Sequence, residues 1–193
     1  MAISLDIAAS EFGRAGRYRL GLDRRDLDSD ALGDLLAGWL ARYPIVAIED
    51  PLAEDDGPGL ARFTRAVGDR AQVIGDDFLV TSAERIEAAA RIGACNAVLI
   101  KPNQAGTLTE AKAALDAARA AGYGAIVSAR SGESEDTTIV HLAVGWGIDQ
   151  LKVGSFARSE RMAKWNEGLR IAASLGHGRL PPRGRFPWGR SRS

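Results

Sequence analysis

Six short apolar runs, each ending on or beside a polar residue, recur along this 193-residue chain: ISLDI (3–7), IVAIE (45–49), QVIGD (72–76), AVLIK (97–101), AIVSA (125–129) and QLKVG (150–154). They are nearly continuous in apolar character rather than alternating, as expected of parallel strands covered on both faces. Helical patterns separate them. In SDALGDLLAGWLARY the residues Leu32, Leu35, Leu36, Trp39 and Leu40 form one apolar stripe. Thr81 with Glu84 and Thr107 with Glu110 read as capping boxes, and Gly93, Gly122 and Gly176 stand where helices should stop. Six β-then-α units in succession predict a parallel α/β fold over residues 1–176. The remaining 177–193 hold five arginines and no acid, and read as a poorly ordered basic tail.

The polar residues that close the runs carry the chemical information. Asp6 ends the first, Glu49 and Asp50 the second, Asp76 and Asp77 the third, Lys101 the fourth, ARSGE the fifth, and Lys152 falls in the sixth. From Asp6 through Glu49, Asp76, Lys101 and Ala129 to Lys152 the intervals are 43, 27, 25, 28 and 23 residues. Apart from the first, each is one βα unit. Every strand therefore delivers its polar residue to one C-terminal face, where barrels and open α/β sheets place their sites.

Composition narrows what that face can do. The chain has only four lysines, Lys101, Lys112, Lys152 and Lys164, beside 21 arginines, and two of the four lie at strand ends. A lysine can be tuned by burial to act as a base, whereas arginine stays protonated. Three carboxylates from consecutive strands, Asp6, Glu49 and Asp76, suit a hard cation such as Mg²⁺. With Lys101 and Lys152 across the mouth, the set suits removal of a proton α to a carboxylate, the charge that develops being offset by the metal. Arg130 and Ser131 can hold a phosphate or carboxylate.

Formal net charge is zero, which argues against a general nucleic-acid surface. A lone Cys95 excludes a disulfide framework and makes a reducing, cytoplasmic setting the expectation. The sequence shows no basic leader ahead of an apolar core and no run long enough to span a membrane.

The segments SLDIAASEF, YPIVAIEDPLAEDD, VIGDDFLVTS, LIKPNQAGTLTEA, SARSGESEDT and QLKVGSFARSERMAKWNEGLRI resemble enolase, in order, over about residues 3–176. The resemblance implies the later part of a TIM-type catalytic barrel: six consecutive βα units of an incomplete barrel, starting at what would be its third strand. It implies Mg²⁺-dependent dehydration of 2-phosphoglycerate to phosphoenolpyruvate, the glycolytic hydro-lyase reaction. Asp6, Glu49 and Asp76 would be metal ligands and Lys101 the base. Glu49, Arg130, Ser131 and Lys152 would contact the substrate, a phosphorylated small carboxylic acid. The family's N-terminal domain and first two barrel strands have no counterpart in these residues, so a homo-oligomer or a separate chain is expected to complete the site. Where the family reads SHRSGE this chain reads SARSGE, placing Ala129 at a histidine position. The reading that follows is an enolase-type hydratase with little turnover on its own. The alternatives are a superfamily enzyme with altered chemistry and a non-catalytic binding or assembly protein.

Overall fold

A computed structural model describes residues 2–176, 178 and 180–189. Six parallel strands form one sheet: β1 (Ile3–Asp6), then, after a meander of β2 (Gly13–Arg14), β3 (Arg17–Leu20) and β4 (Arg25–Asp28) and helix α1 (Ser29–Arg42), β5 (Ile45–Glu49). Helix α2 (Gly57–Val67) leads to β6 (Gln72–Gly75), α3 (Ala83–Ile92) to β7 (Ala97–Ile100), and α4 (Pro102–Ala105) with α5 (Leu108–Ala120) to β8 (Gly124–Ser128). Helix α6 (Thr138–Gly145) precedes β9 (Gln150–Lys152), and α7 (Ser159–Ser174) follows it. The sheet order is β1-β5-β6-β7-β8-β9, every neighbouring pair parallel. The expected six-unit, incompletely closed barrel is therefore what forms.

Strand periodicity sorts the side chains onto two faces. Ile48, Val73, Val98 and Ile100 pack outward with Leu36, Leu60, Ile86 and Leu115 of the helices in the main core. Ala47, Ile74, Ala97, Leu99 and Ile126 form a second cluster on the other, concave face. Glu49, Asp76, Lys101 and Lys152 continue this concave set by steps of two from Ala47, Ile74, Leu99 and Gln150. The sheet curls enough that Gln72 of β6 and Gln150 of β9 exchange amide hydrogen bonds of 2.8 and 3.0 Å across the concave side.

The inner strands β6 and β7 are wholly buried, as their apolar runs predict, but β1 is mostly exposed. It lies at a sheet edge with β5 on one side only, so covering on both faces does not extend to it. The long first interval holds the antiparallel meander β2-β3-β4, which no apolar periodicity announces because its strands, RYRL and RDLD, are polar. Its first turn, with Ala15 and Gly16 both at positive φ, is a tight hairpin. Tyr18 anchors it: the ring is buried, its hydroxyl donates to Asp56 at 2.8 Å, and it accepts from the Ala53 amide at 3.0 Å. A Cβ at Gly13 would lie 2.1 Å from that ring, so glycine is required there.

Of the segment expected as a basic tail, residues 177, 179 and 190–193 lie outside the described residues. Within the rest, Arg183–Arg185 and Pro187–Gly189 form 3-10 turns, and Arg185 pairs with Asp149 at 2.5 Å. Among the described residues no helix is long and apolar enough to cross a membrane.

Candidate active site at the strand ends

The C-terminal end of the sheet gathers charged side chains from strands far apart in sequence. Lys152, on the last strand, donates to Asp6 of the first at 3.0 Å and to both oxygens of Glu49 at 2.7 and 2.6 Å. The sheet's two edges are thus bridged by one ammonium group. On the opposite side of the mouth Lys101 pairs with Asp76. Both partners of that pair are largely buried, and Gln104 makes a 3.4 Å contact with the other Asp76 oxygen.

Burial decides the electrostatics. Glu49 is 3% exposed, and loss of hydration pushes its pKa up to about 8; Lys152 opposes this, while Asp6 and Asp76 add to it. Burial alone would lower the Lys152 pKa, but the hydrogen bonds and charges of Glu49 and Asp6 outweigh it and the net direction is upward. Asp50 is equally buried. Its pKa rises to about 7 by desolvation, although its carboxylate accepts the backbone N–H groups of Asp76 and Asp77 at 2.9 and 2.8 Å. Those two bonds make Asp50 a brace that fixes the turn on which Asp76 stands. Desolvation also raises the Asp77 pKa, with the Asp76 charge next in importance. Asp50, Asp76 and Asp77 bring one carboxylate oxygen each to within 4.8 Å of one another, a set able to coordinate a divalent cation.

The backbone is strained around this mouth. Ala8, Asp50, Val80 and Thr81 have positive φ without being glycine, as do Arg158 before α7 and Ala15 and Arg24 in the meander; such conformations are held by surrounding structure. Thr81 is not the helix cap its pairing with Glu84 predicts. Ser82 caps α3, accepting from the Arg85 amide. The Thr81 side chain instead turns into the fold, where its hydroxyl accepts the Lys101 N–H at 3.0 Å and donates to Gln104 at 2.8 Å. Thr107 does cap α5: its hydroxyl accepts the Glu110 N–H at 3.1 Å and donates to the Glu110 carboxylate at 2.8 Å.

Ala129, Arg130 and Ser131 follow β8, with Ala129 held against β9 by its N–H to the Lys152 carbonyl at 2.9 Å. Ala129 is buried and brings neither donor nor acceptor in its side chain. Glu133 belongs to the ARSGE stretch that closes the fifth run, though its position there points to no role, and two groups escape a reading based on strand ends: Arg161 and Lys164. Glu133 accepts the Arg130 N–H at 2.7 Å, and Arg161 and Lys164 reach the same loop from α7. The scarcity of lysine was a signal for Lys164. Nothing in the sequence distinguishes Arg161 from twenty other arginines.

An open parallel α/β half-barrel with paired carboxylates and lysines at its strand ends has its charged groups where barrel enzymes place their sites. The comparisons agree. Residues 1–180 match the family described as "Enolase, C-terminal TIM barrel domain". The chain is 48% identical over 189 residues to Enolase 1 of Desulfitobacterium hafniense (strain Y51). That match takes in 96% of this chain and 43% of the relative, so the chain spans less than half of the relative's length. The chain belongs to the enolase family, matching its C-terminal barrel domain with six of the strands of such a barrel.

Proposed function

We propose that this chain binds Mg²⁺ together with a phosphorylated small carboxylic acid and exchanges the proton α to the carboxylate, elimination of the hydroxyl being much slower. The single observation that supports this most is the pairing of Lys101 with Asp76 and of Lys152 with Asp6 and Glu49 at one mouth. These are three carboxylates and two lysines from five strands of one sheet.

The donor atoms are carboxylate oxygens, the ligand type a hard cation takes, and Asp76 also belongs to the Asp50, Asp76 and Asp77 group whose oxygens lie within 4.8 Å of one another. Asp6, Glu49 and Asp76 would hold the ion. When bound, Mg²⁺ supplies positive charge that offsets the charge developing on the substrate carboxylate. Lys152 would bind that carboxylate. Arg130 and Ser131 would hold the phosphate and fix the α carbon over Lys101. Lys101 takes the C2 proton on its amine, trades it with solvent, and returns a solvent-derived proton to the same carbon, so the exchange is balanced without a leaving group.

Completing the dehydration requires departure of the hydroxyl as well. Ala129 contributes no proton donor or acceptor at the β8 end, and losing one polar group that touches a developing charge commonly costs about 10²–10³-fold. This favours a family member with altered or incomplete chemistry over a full 2-phosphoglycerate hydratase. Proton NMR of 2-phosphoglycerate in D₂O with Mg²⁺ and this chain separates the two. The expected result is loss of the C2 proton signal with phosphoenolpyruvate at least about 100-fold behind. Phosphoenolpyruvate appearing as fast as deuterium enters would refute the proposal, as would no exchange at all.

A further inference from the structure

We infer that Arg161 and Lys164, one helical turn apart on α7, are positioning residues that set the anion-binding geometry of the loop at 130–134. The inference rests on the reading of Arg130 and Ser131 as the phosphate holders. Arg161 is 8% exposed, and its guanidinium donates to the carbonyls of Arg130, Ser131 and Val153, each at 2.8 Å. Lys164 is 1% exposed; its ammonium donates to the carbonyls of Ser134 at 2.7 Å and Glu160 at 3.0 Å and pairs with Glu133 at 2.8 Å. Glu133 in turn accepts the Arg130 N–H at 2.7 Å. Two buried cations thus hold the loop at residues 130, 131, 133 and 134.

Burying two cations is costly unless the surroundings answer them. The nearest carboxylate to Arg161 is Glu160, at 4.0 Å, so its charge is met mainly by carbonyl dipoles. This has two consequences for the loop. The Arg161 charge is left only partly compensated and adds positive potential where an anion would sit. In a trans peptide the N–H points opposite to the carbonyl. Pulling the Arg130 and Ser131 carbonyls toward α7 therefore turns the N–H groups of Ser131 and Gly132 to the other side. Among the described residues neither N–H donates to another backbone group. The guanidinium fork holds three carbonyls from two segments, the loop and the end of β9, so it also fixes the loop against the strand that carries Lys152. A lysine at 161 could not reproduce that fork.

The test uses the full chain with inorganic phosphate and Mg²⁺ titrated separately, in the unaltered protein and in Arg161→Gln, Arg161→Lys and the surface control Arg170→Gln. If the loop is in its competent geometry only 1–10% of the time once the fork is lost, apparent phosphate affinity falls by about 10–100-fold. Mg²⁺ affinity, which depends on other strands, should move by less than about 3-fold under the same population argument. Arg161→Lys keeps the charge and should fall between. If Arg161→Gln does not fold, the loss of phosphate affinity with retained Mg²⁺ affinity in Arg161→Lys carries the test. Phosphate binding equal to the unaltered protein in folded Arg161 variants would overturn this inference alone. So would a parallel loss of phosphate and Mg²⁺ binding, which marks a merely structural role. Absence of phosphate binding in the unaltered chain would instead remove the anion-site reading, and this inference with it.

Discussion

Replacing Glu49 by glutamine should stabilise the metal-free protein at alkaline pH and leave it nearly unchanged in acid. Glu49 is 3% exposed, and its pKa rises from 4.5 to about 8 on folding, chiefly through lost hydration. The native state therefore holds a proton there that the unfolded chain releases, so the Glu49 contribution to stability is fully present below pH 4.5 and drains away as pH climbs to about 8. At about 1.4 kcal/mol per pH unit, that interval amounts to at most about 5 kcal/mol. Glutamine is the neutral isostere of the protonated acid and keeps a carbonyl for Lys152, so Glu49→Gln should abolish this loss. Asp50, raised from 3.8 to about 7, contributes a similar fall that ends earlier. Urea unfolding at several pH values between 5 and 9, with EDTA present, reads both. The unaltered protein should keep losing stability from pH 7 to 8, whereas Glu49→Gln should be flat there and more stable at pH 9. Parallel curves for the two proteins would refute the claim that burial holds the proton on Glu49.

Two further substitutions test the supports of the mouth. Thr81→Val keeps the side-chain shape but strands the buried Lys101 N–H, and should cost about 1–3 kcal/mol in chemical denaturation. Gln72→Leu should be destabilising by a similar amount because it leaves the Gln150 amide without its partner. Adding Gln150→Leu should then cost less than the sum of the two single changes, a coupling read by a double-mutant cycle.

The parallel sheet and its inner strands are legible in the sequence because IVAIE, QVIG and AVLI must be hidden on both faces and can be hidden in few other ways. The common mouth is legible too, since βα intervals of 23 to 28 residues put Glu49, Asp76, Lys101 and Lys152 at corresponding strand ends. Other features depend on contacts with no periodic trace. The polar meander at 13–28 is held by one buried tyrosine hydroxyl reaching Asp56 and Ala53, residues 35 or more positions away. Thr81 carries the local signature of a helix cap, but a left-handed backbone turns it toward Lys101 and gives the cap to Ser82. Arg161 and Lys164 look like surface charges on a polar helix until the loop before α6 folds over them. Asp50 reads as a second turn acid beside Glu49, and only its bonds to the Asp76 and Asp77 amides identify it as a brace.

Calorimetric titration of Mg²⁺ into the folded chain, with and without 2-phosphoglycerate, tests most directly whether the strand ends form one site. One site predicts that Mg²⁺ binds, that 2-phosphoglycerate binds more tightly once Mg²⁺ is present, and that Asp76→Asn weakens both. Absence of Mg²⁺ binding with and without the phosphorylated acid would contradict it, as would the two ligands binding independently of each other.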